Sequence, residues 1–323
     1  MESDLAKVLH LVAGMPMLHY VLKTAEDLGS TKTVVVVGHQ AQEVQNTFSS
    51  FLSVEWVLQS EMKGTGDAVK TAKPCFDGFP GPILILYGDI PGIRVETLRR
   101  LRMLHDSAKN AVTLLTADLE EPTGYGRVVV AGDGLVARIV EEKDATLEEK
   151  EITEVNTGIG FYDPKFLWEA IDRLKPTNQQ GEYYLTDVIS DARTHGRSVG
   201  RMQIKEPLEA LGINDRSTLS EVTRFFEDEK AARLLESGVS LDDPGTTSIH
   251  PEVQIGRDSV LQGRVLIEGK SVLGKRCIVD AGSRLSNVHL GERVKIGTGV
   301  YLCDAEIGDG TQIGSGTIVL KGD

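Results

Sequence analysis

From Ile249 to the end of the chain, aliphatic residues recur every six positions. Ile249, Ile255, Leu261, Ile267, Leu273, Val279 and Leu285 are evenly spaced; after a five-residue step the series resumes with Leu290, Ile296 and Leu302, and another short step leads to Ile307, Ile313 and Val319. Glycine often follows the aliphatic residue, as in Ile255-Gly256, Leu273-Gly274, Leu290-Gly291 and Ile307-Gly308. A hexad with one inward aliphatic side chain is the pattern of a parallel β-helix, whose short flat strands wind round a narrow core. That core has room for Ile, Val and Leu but for few rings, and its corners need glycine or residues that tolerate positive φ. The composition agrees: aromatic residues are 5% of the 323, glycines number 34, and Tyr301 is the only aromatic beyond Ile249. Residues 246–323 should give about four coils of about 18 residues.

Before the repeat the pattern is different. Short β-branched runs at Thr33–Val37, Val54–Leu58, Ile83–Tyr87, Ala111–Thr116 and Val155–Phe161 alternate with helical stretches, which predicts an open α/β sheet. Residues 34–37 and 83–86 are apolar on both faces, as the strands of a buried parallel sheet are. One helix is expected to begin at Pro16, to carry Leu18, Val21, Leu22, Ala25 and Leu28 on one stripe, and to stop at Gly29. A second, longer helix is expected over Ser217–Leu235, its EDEK run forming a solvated face. The chain therefore divides into an α/β domain over 1–214, a linker helix within 215–240, and a β-helix over 246–323.

Charge narrows the partners. With 35 Lys and Arg against 48 Asp and Glu the net charge is -13, which argues against binding nucleic acid or anionic lipid in bulk. No apolar run approaches the ~20 residues of a membrane helix. Cys75, Cys277 and Cys303 are far apart and form neither a CxxC pair nor a metal-ligand cluster, and the acidic start MESDLAKVLH is unlike a signal peptide, so a cytoplasmic setting is expected.

Several short motifs are compatible with chemistry, each with a plainer alternative. Gly64-Thr65-Gly66 opens a helical stretch, where N–H groups can face a ligand, but it also reads as a tight turn. Tyr87-Gly88-Asp89 ends a buried strand; the carboxylate suits Mg²⁺ on a phosphate, or a turn or helix cap. Pro122-Thr123-Gly124-Tyr125-Gly126-Arg127 reads alone as a hairpin turn, and Asn156-Thr157-Gly158 as the start of a strand. Thr186 or Asp187 in QGEYYLTD, and Asn214 before the long helix, are candidate caps. No histidine pair has H-x₃-H spacing, and each histidine reads as structural.

Taken together the motifs are far more specific. LAKVLHLVAGMPMLHYVL, WVLQSEMKGTGDAV, ILILYGD, PTGYGRV, IVEEKDAT, EVNTGIGFYD, QGEYYLTD and LEALGINDRSTLS occur in order, and the chain resembles the bacterial bifunctional N-acetylglucosamine-1-phosphate uridyltransferases/glucosamine-1-phosphate acetyltransferases over nearly its whole length. The resemblance implies a Rossmann-like nucleotidyltransferase with a mostly parallel sheet, a linker helix and a short left-handed parallel β-helix, a fold that commonly forms homotrimers. It implies transfer from UTP to N-acetylglucosamine 1-phosphate, giving UDP-N-acetylglucosamine for the cell envelope. By the same resemblance Gln59, Gly64 and Thr65 contact uracil, and Tyr87 and Gly88 line the nucleotide. Asp89 and Asn214 hold Mg²⁺, Lys7 meets the phosphates, and Gly126, Glu141, Asn156, Tyr184 and Thr186 bind the sugar phosphate.

Two departures qualify it. The family opens with a strand and a glycine-rich loop, LAAGxGTRM, that end where Met1 stands here, and Ala6 replaces a proline before Lys7. Impaired turnover is therefore expected, since single phosphate-facing donors are worth about 3 kcal/mol. The alternatives are a non-catalytic, oligomeric sugar-nucleotide-binding protein and a transferase for another hexose 1-phosphate. At the other end Thr298 takes the place of the acetyltransferase histidine, and the sequence stops at Asp323 before further coils, so acetyl transfer is not expected.

Overall fold

The computed structural model describes residues 1–51 and 53–321. They form two compact units, one of residues 1–10 and 17–214, the other of residues 11–16 and 215–323.

In the first unit helix α1 spans Met17–Asp27 and buries Leu18, Val21, Leu22 and Ala25 on one stripe. Gly29, at φ +85°, turns the chain out of it, and Ser30 N donates back to Ala25 O at 3.0 Å. Pro16 is not the first helical residue, because it pairs with Leu11 in a small hairpin and the helix starts one position later. Strand β1 (Thr33–Val37), helix α2 (Ala41–Thr47), strand β2 (Val54–Leu58), helix α3 (Thr65–Ala72) and strand β3 (Ile83–Ile85) follow. Next come α4 (Val95–Ala108), β4 (Val112–Asp118), β5 (Arg127–Val130), β6 (Val136–Val140) and α5 (Leu147–Lys150). Strand β7 (Glu154–Tyr162), helices α6 (Pro164–Arg173) and α7 (Asp187–Thr194), and strand β8 (Val199–Gln203) complete the unit.

Five strands lie in the order β8-β4-β7-β5-β6, and β3 pairs with β7 beyond this path; β1 and β2 form a separate parallel pair. Strand β7 runs antiparallel to β3, β4 and β5, and β5 to β6, so the sheet is mixed where a mostly parallel one was expected; within it, among the described residues, only β8 and β4 pair in parallel. Leu98 and Leu101 of α4 pack with Leu115 and Ile159, while Leu167 and Ile171 of α6 and Ile189 of α7 pack with Val112 and Leu114. The run predicted to reach Tyr87 leaves the ladder after Ile85. Opposite it, Gly158 adopts φ +82° and lies against the Tyr87 ring, which breaks the extended backbone of β7. The β4–β7 register jumps there from Leu114↔Gly160 to Thr116↔Asn156. Asn156-Thr157-Gly158 thus sits on a bulge within the strand and does not begin it. Residues 122–126 lead into β5, whose hairpin to β6 turns at residues 131–135.

The runs expected to be buried on both faces are only partly covered. Val34, Val35 and Val36 of β1 and Leu84 and Ile85 of β3 are half-buried.

In the second unit helix α8 spans Arg216–Glu236, capped by Asp215, whose Oδ1 accepts from Thr218 N at 2.7 Å. Its EDEK run is not wholly solvated. Lys230 donates to Pro251 O and Val253 O at 3.0 and 2.7 Å, and Glu227 accepts from Ser248. The hexads stack as three parallel sheets, the arrangement of a left-handed hexapeptide-repeat β-helix, with register Ile249↔Ile267↔Leu285↔Leu302↔Val319 along one face. Leu261, Leu273, Val279, Leu290 and Ile296 fill the core, and Ala231 and Leu234 of α8 pack against it.

The glycines of the repeat do two different jobs. Positive φ at corners falls on Gly269, Gly282 and Gly299 but equally on Asp258, Arg264, Arg276, Asn287 and Arg293. The glycines after the aliphatic residues lack positive φ, and Gly256, Gly274, Gly291 and Gly297 stand where coils touch: a Cβ on Gly274 would lie 2.5 Å from Gly291 O, and one on Gly256 2.7 Å from Gly274 C, whereas Gly308 and Gly314 of the last hexads meet nothing within 4 Å.

Candidate active site

Lys7 lies in a short 3₁₀ turn, Lys7–Leu9, and its Nζ reaches two oxygens. Asp89 Oδ2 is 2.5 Å away and Asn214 Oδ1 2.7 Å away. Asp89 stands two residues beyond Tyr87, after the last strand turn of β3, and its carbonyl accepts Ile213 N at 3.0 Å, which fixes residues 213–214 beside it. Neither Asp89 nor Asn214 caps a helix. Asn214 leaves the cap of α8 to Asp215 and turns its amide oxygen to Lys7.

A second group surrounds Tyr87. Tyr87 is half-buried, and the partial burial of its phenol, with the Glu141 charge, pushes it up to about 12, against a hydrogen bond with Thr65 that favours ionisation. Thr65 Oγ1 also accepts Leu185 N at 3.0 Å. Gly64, at φ +103°, passes so close to residue 183 that a Cβ would lie 2.6 Å from Tyr183 O. The Gly66 N–H, one of those expected to face a ligand, instead donates to Tyr183 O at 2.8 Å. Gln59 joins this group through Nε2, which donates to Asp67 Oδ2 at 2.8 Å and to Gly64 O at 3.3 Å. Gly88 leaves room for Val8, whose Cγ1 would be 3.2 Å from a Cβ there.

A third group centres on Glu141 at the end of β6. Burial raises its carboxyl, partly offset by the Thr186 hydroxyl, which donates to Oε1 at 2.8 Å. Thr186 stands at the N-cap position of α7, but its side chain makes no cap hydrogen bond there. Gly126 faces the same carboxylate, since a Cβ there would lie 3.2 Å from Glu141 Oε2, and Gly126 O accepts Asn156 N at 2.8 Å. Asn156 Oδ1 accepts Gly158 N at 3.2 Å across the bulge. Tyr184 is buried, and its hydroxyl accepts from Gln180 Nε2 at 2.6 Å. Tyr87 joins the groups: it bonds Thr65, packs on Gly158, senses Glu141, and leads through Gly88 to Asp89.

Sequence reasoning missed the pair beneath Gly126. Arg127 is 2% exposed and pairs with Glu142 at 2.7 Å, and it also donates to Tyr125 O. Burial pushes the Glu142 carboxyl up, but Arg127, Gly124 N–H and Lys150 outweigh it and hold it below its ordinary value. The adjacent carboxylates of IVEEKDAT thus differ, Glu141 facing the cleft and Glu142 anchoring the glycine-rich segment. An arginine directly after Gly-Tyr-Gly was the available signal.

Among the described residues no three His, Cys, Asp or Glu side chains cluster as a metal site, and no helix is long and apolar enough to cross a membrane. Two hard oxygens around the Lys7 ammonium do form a place for a cation, and such a pair suits Mg²⁺ when phosphate oxygens supply further ligands.

The chain is similar to several curated proteins, each called bifunctional protein GlmU. It is 42% identical to the one from Geobacter metallireducens over 283 residues, covering 88% of this chain and 60% of that protein. For Syntrophotalea carbinolica the identity is 43% over 281 residues, 87% of this chain and 60% of the relative. For Streptococcus suis it is 40% over 290 residues, 90% of this chain and 63% of the relative. The chain thus spans less than two thirds of the length of these relatives. The family model described as nucleotidyl transferase matches residues 3–207, which takes in every group described above except Asn214. On that match, which covers more than half of its length, the chain belongs to the nucleotidyl transferase family.

Proposed function

We propose that the chain transfers a uridylyl group from UTP to N-acetylglucosamine 1-phosphate, giving UDP-N-acetylglucosamine and pyrophosphate. The observation that carries this reading is the convergence of Lys7, Asp89 and Asn214, a cation-and-oxygen cluster beside the half-buried Tyr87 and Glu141 groups. An oxygen of the sugar phosphate forms a bond to the α-phosphorus of UTP, and the bond from that phosphorus to the pyrophosphate oxygen breaks. A phosphate monoester loses its second proton near pH 6, so its attacking oxygen is already ionised and no general base is required. The task left to the protein is alignment and charge neutralisation.

In this reading Lys7 places its ammonium on the phosphates. Gln59, Gly64 and Thr65 take the uracil edge, with Gln59 oriented by Asp67, and Tyr87 and Gly88 line the nucleotide. Glu141 keeps one oxygen on Thr186 and offers the other to a sugar hydroxyl, in the space left by Gly126. Asn156 and Tyr184 complete the sugar-phosphate side. Asp89 and Asn214 would hold Mg²⁺, which when bound neutralises phosphate charge.

We extend the proposal to a homotrimer assembled through the β-helix and to the cytoplasm, a setting that suits free Cys75, Cys277 and Cys303. Acetyl transfer is left out, because Thr298 offers no base at neutral pH. A panel of nucleoside triphosphates and sugar phosphates, scored by pyrophosphate release, tests the assignment. Preference for UTP with N-acetylglucosamine 1-phosphate supports it; preference for glucose 1-phosphate or another base overturns the substrate.

A further inference from the structure

Gln59 is held at both its backbone and its side chain. Its N–H donates to Val37 O at 2.8 Å, which continues the β1–β2 pairing one residue past Leu58. Its side-chain amide meets two oxygens: Nε2 donates to Asp67 Oδ2 at 2.8 Å and to Gly64 O at 3.3 Å. Asp67 is the third residue of α3, and a carboxylate in the first turn favours the helix dipole whichever way it points. Here it turns back onto Gln59. The helix start that carries it is pinned as well, since Gly66 N–H donates to Tyr183 O and Thr65 Oγ1 accepts Leu185 N.

The chemistry of those two partners decides which way the amide faces. A carboxylate and a peptide carbonyl only accept, so the end of the amide between them must be the NH₂, and both of its hydrogens are used there. Gln59 is left with Oε1, an acceptor; among the described residues no group donates to it, and it is not buried. We propose that Asp67 is a positioning residue for base choice: by holding the Gln59 amide in this orientation it makes the site take a pyrimidine whose ring N3 carries hydrogen and refuse one whose N3 is bare. The contact presupposes the uridylyl transfer proposed above, in which Gln59 takes the edge of uracil. Uracil has one N–H on that edge, between two carbonyls, so N3–H is the atom that meets Oε1. Cytosine in the same pose turns an N3 lone pair on Oε1, and two facing acceptors lose their hydrogen bonds to water without gaining one. Thymine carries the same N3–H, so this contact does not tell it from uracil. Without the Asp67 carboxylate, only the longer bond to Gly64 O opposes a half-turn of the amide that brings NH₂ to cytosine N3.

Calorimetric titration of the full chain with UTP and with CTP, in Mg²⁺ and without a sugar phosphate, reads base choice apart from turnover. The parent should bind UTP at least about 10²-fold more tightly than CTP, because a polar site rejects a ligand that leaves its groups unpaired. Asp67→Asn keeps the size of the side chain but can donate to Oε1, so it permits the turned amide. In that variant, and in Asp67→Ala, the two affinities should come to within about tenfold of each other, with CTP bound more tightly than by the parent. A loosened fold alone weakens both nucleotides together and leaves the ratio where it was. The proposal is overturned by a parent that binds UTP and CTP alike, by an unchanged ratio in both variants, or by a ratio that falls with no gain for CTP. A parent that prefers UTP in this way but releases no pyrophosphate when the sugar phosphate is added removes the transferase and leaves the Asp67 contact standing; one that binds neither nucleotide overturns both.

Discussion

Lys7 Nζ stands 2.5 Å from Asp89 Oδ2, and the same ammonium bonds Asn214 Oδ1 at 2.7 Å, so residues from three distant parts of the chain meet at one positive charge. The Lys7 side chain is 36% exposed and that of Asp89 24% exposed, so the pair is only partly screened from water. An ion pair of that exposure adds little to stability, within about 1 kcal/mol, and its weight falls on charge placement.

Replacing Lys7 by alanine should accordingly leave the thermal midpoint within a few degrees of the parent while lowering kcat by about 10²–10³-fold. Circular dichroism melts together with pyrophosphate release check both halves. A large loss of stability with retained turnover would remove Lys7 from the site.

Glu141 sets a pH dependence whose sign is fixed by burial, which raises its carboxyl above the ordinary 4.5. The folded state then holds the proton more tightly than the unfolded chain. Its contribution is fully present below the unfolded value and is lost as pH rises through the folded one. Glu141→Gln should therefore flatten this part of the stability curve, gaining on the parent as pH climbs above about 4.5. Urea midpoints of the two proteins from pH 4 to 8 measure it, and a constant offset would contradict it. The same variant should raise KM for the sugar phosphate.

Arg127 is the most consequential side chain beneath the site. Arg127→Ala takes away the main partner of Glu142 and should lower the unfolding free energy, whereas the double change Arg127→Met with Glu142→Leu should recover much of that loss. Denaturant unfolding of the three variants decides; a single variant as stable as the parent would show that the pair carries little.

In the β-helix the two kinds of glycine should respond oppositely. Gly274→Ala forces a Cβ to within 2.5 Å of Gly291 O and should destabilise the unit by about 1–3 kcal/mol. Gly282 has φ +73° and open space around it, so Gly282→Asn should be nearly neutral, as Asn287 already adopts φ +51°. Thermal melts of the two variants compare them directly.

How much of this was legible beforehand depends on the range of the interactions. The hexads state their fold outright, because each coil repeats the same local requirement; Ile249, Leu273 and Leu285 are buried as their spacing demands. Strands β1 and β2 were readable to the residue from their β-branched runs. The bulge at Asn156-Thr157-Gly158 was not, since it arises from what β4 and Tyr87 do opposite it. Asp89 and Asn214 each carried a bland local meaning and Lys7 carried none, and only the resemblance grouped them before the fold did. The EDEK run misled because a charge on a helix looks solvated until a carbonyl such as Val253 O is brought to Lys230.

The most direct test of the central claim is ³¹P NMR of the chain mixed with UTP, N-acetylglucosamine 1-phosphate and Mg²⁺, run beside Asp89→Asn. The account predicts that pyrophosphate and UDP-sugar resonances grow in equal amounts in the parent, and at least about 10²-fold more slowly in the variant. Substrate binding with no pyrophosphate from the parent, or equal rates in both proteins, would contradict it.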